Sequence, residues 1–186
     1  ISPFMVPLKI LLTSAFLLAL PVVLWQIWGF VAPGLYMHEK KLVVPLVVSS
    51  TLLFFVGVAF CYFFVFGQVF SFIQSFAPKS ITAAPDIEAY LSFVLTMFIA
   101  FGLAFEVPIV VVLLARMGLV SVQKLKDSRG YFIVVAFIIA AIVTPPDVVS
   151  QLALAVPMCL LYEVGIWAAQ IFIKHTQAPE DADQAA

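Results

Sequence analysis

Glu106 is the sole charged residue between Ala89 and Ala115, and a lone carboxyl in so apolar a run is the first candidate for chemistry. Left bare in lipid, an ionised carboxylate costs about 2.5–3.5 kcal/mol on insertion scales, so it must turn toward protein, water or a ligand. Two readings fit. One is a packing contact with a neighbouring helix, near Thr144 or Gln151. The other is a functional one, a polar, water-reached spot in the helix face. At about 100° per residue, Glu88, Ser92, Ile99, Gly102 and Glu106 share one helix face, smaller and more polar than its opposite. Pro108, two residues on, removes a helix donor and favours a bend there.

The other polar candidates lie at the edges of apolar runs. Glu39 is the single acid in the segment His38-Glu39-Lys40-Lys41. A carboxylate can hold a guanidinium through two parallel hydrogen bonds, but Glu39 can equally pair with Lys40, Lys41 or Arg116 as a surface contact worth about 0–1 kcal/mol. Phe30 follows Trp25 and Trp28, a grouping that suits an interfacial aromatic anchor. Thr144, Asp147 and Gln151 surround the turn Thr144-Pro145-Pro146-Asp147, where Thr and Asp cap helix ends. Glu163, beside Tyr162, either snorkels or bonds a neighbouring helix. Catalysis finds little support. His38 and His175 sit at edges, with no HExxH pair, no Gly-x-Ser-x-Gly elbow and no second intramembrane Asp for a dyad. Cys61 and Cys159 lie inside apolar runs and read as buried thiols. No enzyme activity, metal or cofactor is expected.

The elements that carry these residues must be membrane helices. Of 186 residues, 65% are hydrophobic and 10% charged, with mean hydropathy +1.19, against about 45–50% and about 25% in a soluble domain. The net charge of −1 leaves no basic footprint for nucleic acid. A span needs about 20 apolar residues. Five helices are expected, at about 8–30, 43–72, 88–115, 131–144 and 150–173, in one all-α polytopic domain over 1–176, with a disordered tail at 177–186. The last two helices are expected to form a short hairpin, since about 15 residues from Gly130 to Thr144 cover only about 22 Å. Seven of the nine Lys and Arg fall on one side of this five-span pattern. That bias puts the 31–42 and 116–130 loops and the C-terminus in the cytoplasm. Ile1-Ser2-Pro3 is neither a usual start nor a signal peptide, so the chain reads as lacking an upstream part.

Taken together, Gln26-Ile27-Trp28-Gly29-Phe30-Val31-Ala32-Pro33-Gly34-Leu35-Tyr36, His38-Glu39-Lys40-Lys41, Phe105-Glu106-Val107-Pro108 and Thr144-Pro145-Pro146-Asp147-Val148-Val149-Ser150-Gln151 resemble the TatC family, the polytopic subunit of the twin-arginine protein translocase. The order and spacing of these segments extend over almost the whole chain. The resemblance implies six helices in the full-length family, with five present here. It implies a receptor for twin-arginine precursor proteins in a bacterial cytoplasmic (inner) membrane. Such a receptor works with TatA- and TatB-type single-span subunits, in a homo-oligomeric complex in membrane lipid, to move folded proteins with the proton-motive force. Phe30 and Glu39 would then bind the signal peptide, Glu106 would be the intramembrane polar site, and Thr144 and Gln151 would dock partner subunits at the turn held by Asp147. Met37 and Gly67 depart from the family, which commonly has a basic residue and a proline there. A small-molecule or ion secondary transporter is the alternative, since it too uses intramembrane carboxylates.

Overall fold

Residues 2–31, 43–76, 86–144 and 146–176 are described in the computed structural model, and all of their regular structure is helical. The helices are α1 (Ser2–Val31), α2 (Val43–Phe60), α3 (Phe66–Phe76), α4 (Ile87–Ala104), α5 (Val107–Arg116), α6 (Val122–Asp127), α7 (Arg129–Val143) and α8 (Val148–Thr176). A π-helical turn, Cys61–Val65, joins α2 to α3. Such apolar sequences become helices in lipid because the helix satisfies every backbone donor within the segment.

Among the described residues, four stretches are long and apolar enough to cross a membrane: Pro3–Val31, Val44–Ser71, Ile87–Arg116 and Val148–Ile173. Arg129–Val143 is apolar but shorter. At about 1.5 Å per residue, the 15 residues of α7 cover about 22 Å and the 29 of α8 about 43 Å. The expected short hairpin is therefore short in one arm only. Neither Glu163 nor Pro157 ends α8, because each is accommodated within a continuous apolar helix. The 177–186 tail, Glu39 and Met37 lie outside the described residues.

Packing follows a simple order. α1, α2 and α4 pack on one another, while α8 lies against α5 and α7. Ring contacts step along α3 and α4 in opposite directions: Phe70 meets Tyr90 at 5.6 Å, and Phe66 meets Phe98 at 5.4 Å. Farther along, Phe60 reaches Phe101 at 6.0 Å and Phe105 at 5.6 Å. This antiparallel register carries α2 past the point where α4 ends. At the start of the bundle, Lys9 of α1 reaches Glu88 Oε1 at 3.3 Å and donates to Ser92 Oγ at 2.9 Å. The polar face of α4 therefore looks toward α1 and α2 rather than outward.

Candidate functional site

The long Ile87–Arg116 span is broken at Phe105-Glu106 into α4 and α5. Pro108, near the start of α5, has no N–H to continue the ladder. The chain responds with a tighter turn, in which the Glu106 N–H donates to Leu103 O at 3.0 Å. Beyond it, the Glu106 carbonyl accepts from Ile109 and Val110 at 3.0 and 3.1 Å. The break aims the Glu106 side chain into the bundle, where the residue is 7% exposed.

Close packing shuts this place from outside. A Cβ built on Gly57 would stand 2.5 Å from the Phe101 carbonyl oxygen, and one on Gly102 would enter the Phe54 ring. On the other side, a Cβ on Gly165 of α8 would come within 2.9 Å of Pro108 Cα. Small residues thus let α2 and α8 approach the break at backbone distance.

Inside this shell the carboxyl meets Ser50. Phe54 covers Gly102, and Ser50 lies one turn back along α2 as Glu106 lies one turn on from Gly102, so the antiparallel register sets the two side by side. The Ser50 hydroxyl lies within reach of the carboxyl, yet neither Glu106 oxygen completes a hydrogen bond among the described residues. Ser50 is fully buried and its Oγ accepts the indole N–H of Trp28 at 2.9 Å. Trp28, Ser50 and Glu106 therefore form one polar thread through α1, α2 and the α4–α5 break. Sequence reasoning singled out Glu106 but missed Ser50. The signal was present in Ser49-Ser50-Thr51, a polar triplet inside an apolar run. Ser49 and Thr51 bond back to Pro45 O and Val47 O of their own helix, which leaves the middle member as the one turned toward the neighbouring helices.

The remaining candidates are placed apart from this site. The contact of Glu106 with Thr144 or Gln151 does not form. Thr144 donates its hydroxyl to Ala140 O at 2.7 Å, four residues back on its own helix, and Gln151 is half-buried one turn into α8. Asp147 Oδ2 accepts the Ser150 N–H at 2.7 Å, capping α8. Phe30, at the last turn of α1, is 87% exposed, while Trp28 on the opposite side of that turn is buried. Glu163 bonds Arg129 through a two-point fork, with Nε–Oε1 and Nη2–Oε2 both at 2.7 Å. No group of His, Cys, Asp or Glu able to hold a metal occurs among the described residues.

Residues 1–157 match the family model for the Sec-independent protein translocase protein (TatC). A relative of that name from Halothiobacillus neapolitanus is 53% identical over 173 residues, covering 93% of this chain and 47% of the relative. The chain thus spans about half the length of that protein. A relative of the same name from Escherichia coli K12 is 47% identical over 172 residues, covering 92% of this chain and 67% of the relative. Among solved structures, a crystal structure of the twin arginine translocase receptor TatC is similar with TM-score 0.82 and 40% identity, covering 91% of this chain and 76% of that one.

Proposed function

The chain belongs to the TatC family, and on that premise we propose that it serves as the core and receptor subunit of a twin-arginine translocase. It binds twin-arginine signal peptides and assembles with TatA- and TatB-type single-span subunits to move folded proteins across a membrane on the proton-motive force. The family is one of translocase proteins and not of enzymes, and the chain is a multi-pass membrane protein. Relatives named as protein translocases disfavour the small-molecule or ion transporter.

One observation carries the site. Glu106 is a buried carboxyl with neither oxygen hydrogen-bonded among the described residues, placed at a break in an apolar span. A buried polar group left unpaired costs about 1–3 kcal/mol, and such a group in a membrane helix marks a functional position more often than a structural one. It offers a polar seat to an incoming signal peptide or partner helix. Phe30 supports a receptor surface at the adjacent end of α1, since a large exposed apolar ring there suits the apolar part of a signal peptide. Glu39 would supply the anionic partner for a guanidinium. Thr144 and Gln151 would dock single-span partners beside the turn that Asp147 caps. The 31–42 and 116–130 loops and the C-terminus would face the cytoplasm of a bacterial inner membrane, an orientation that cysteines at Lys124 and Pro146 check by labelling from opposite sides.

The test is site-specific photo-crosslinking from Phe30 and Glu39, in the full-length parent, to a twin-arginine precursor beside a twin-lysine control. Crosslinks that require the arginine pair are expected. Crosslinking of both precursors alike would remove the receptor role from these two residues.

A further inference from the structure

The thread from Trp28 to Glu106 has a direction. An indole N–H can only donate, so the Trp28–Ser50 bond of 2.9 Å occupies an acceptor site on the Ser50 oxygen and leaves its hydroxyl proton uncommitted. Ser50 is completely buried, and the unsatisfied acceptors beside it are the two Glu106 oxygens. The neighbouring hydroxyls of Ser49 and Thr51 have gone to backbone carbonyls at 2.7 and 2.8 Å. Trp28 is also near the end of α1, about 4.5 Å along the axis from Val31 at 1.5 Å per residue. Phe30, on the exposed side of the same turn, is held on the backbone segment that fixes the indole.

We propose that Trp28 and Ser50 are positioning residues for Glu106: the indole fixes the serine, and the uncommitted serine hydroxyl is the donor onto which one carboxyl oxygen closes, leaving the other oxygen free. The proposal rests on the role given above to Glu106 and names the residues that position it.

The experiment uses the full-length parent with its partner subunits in native membranes. The variants are Ser50→Ala, Ser50→Thr and Trp28→Phe, each made with Glu106 and with Glu106→Ala. The infrared absorption of the Glu106 side chain, identified by its loss in Glu106→Gln, reports the bond directly. It should shift when Ser50→Ala removes the donor and stay near its place in Ser50→Thr, which keeps a hydroxyl. Transport of a folded twin-arginine precursor should fall about fivefold in Ser50→Ala and about twofold to threefold in Trp28→Phe, as loss of about one hydrogen bond implies. Neither substitution should lower transport further when Glu106 is already Ala. An unmoved absorption in Ser50→Ala, or an equal loss of transport with and without Glu106, would overturn the proposal and reduce both residues to packing. A shifted absorption together with normal transport by Glu106→Ala would uphold the Ser50 contact and take the transport role from Glu106, so the two failures are told apart.

Discussion

Glu106 and Glu163 are both single acids that join two apolar runs, yet the fold treats them in opposite ways. Glu163 sits on the outer side of α8 with its side chain 46% exposed, and Arg129 grips both of its oxygens at 2.7 Å. Tyr162 donates to Leu125 O at 2.8 Å and stacks its ring on Phe132 at 4.1 Å. That region fastens the short α7 and the small α6 onto α8. Glu106 lies behind walls that close to backbone contact, and neither of its oxygens is bonded among the described residues. Buried polar groups are nearly always paired, so an unpaired one needs a reason. A satisfied acid holds helices together, whereas an acid enclosed and left unsatisfied is available to something else. Sites that break a local rule of stability are where function is expected.

Substitution of the two acids should divide them most sharply. Glu106→Ala is expected to lower transport of a folded precursor about tenfold or more, with Glu106→Gln less severe, as loss of a charge-assisted contact worth about 1.5–3 kcal/mol implies. The protein should remain inserted and assembled. Glu163→Gln should change transport less than about threefold, in line with a partly exposed pair. Equal losses at both positions, measured in inverted vesicles at matched protein levels, would erase the distinction.

The walls give the next effect. Gly57→Ala puts a methyl 2.5 Å from the Phe101 carbonyl oxygen and 3.0 Å from Phe105 Cβ. Backbone cannot swing aside as a side chain can, so the variant should lose about 1–3 kcal/mol of stability. Gly29→Ala meets nothing within 4 Å and serves as the control. Thermal unfolding in detergent should separate the two. If Gly57→Ala melts with the control, the enclosure of Glu106 is loose and its burial is not imposed by packing at Gly57.

What the sequence made legible was whatever depends on one segment at a time. Charge-free length located the spans, and the gap from Gly130 to Thr144 announced the short α7, because a helix must be about 20 residues long to cross and the chain either supplies them or does not. The polar face of the Ile87–Arg116 span was readable from Glu88, Ser92 and Glu106, since helical periodicity is a local property. The partners were not. Which acid meets Arg129 depends on how α7 lies on α8, and which hydroxyl meets Glu106 depends on the α2–α4 register. That register is set by Phe54 covering Gly102 and by Gly57 admitting the Phe101 backbone, and it involves residues far apart in the chain. The same limit hid the break at Phe105-Glu106. Pro108 announced a bend, but only the close approach of Gly165 to Pro108 shows how the neighbouring helix fits there.

At the turn that begins α8, the comparison sharpens again on a smaller scale. Asp147 is an acid with a purely local task, accepting the Ser150 N–H at 2.7 Å. Loss of such a cap costs about 1 kcal/mol. Asp147→Ala should therefore lower the unfolding midpoint modestly and Asp147→Asn hardly at all. If Asp147→Asn abolished transport at unchanged stability, the charge itself would be needed, and Asp147 would join Glu106 as a site residue rather than Glu163 as a fastener.

The smallest effect is expected at the Arg129–Glu163 pair. Its side chains are 48% and 46% exposed, and pairs so open to their surroundings contribute about 0–1 kcal/mol. The two-point fork raises specificity more than strength. Arg129→Ala and Glu163→Ala should each shift the unfolding midpoint slightly, and the double variant should lose no more than the larger single loss, because each partner's contribution runs through the other. The exchange Arg129→Glu with Glu163→Arg should restore part of the stability, although the reversed fork places the guanidinium on a different backbone and will not regain both bonds. Raising the salt concentration should shrink the difference between wild type and single variants if the pair is reached by water. A loss above about 3 kcal/mol in either single variant would mean that the surviving partner is stranded in a low-dielectric place. Glu163 would then resemble Glu106 more closely than its exposed fork suggests, and the contrast between a fastening acid and a waiting one would have to be drawn on transport alone.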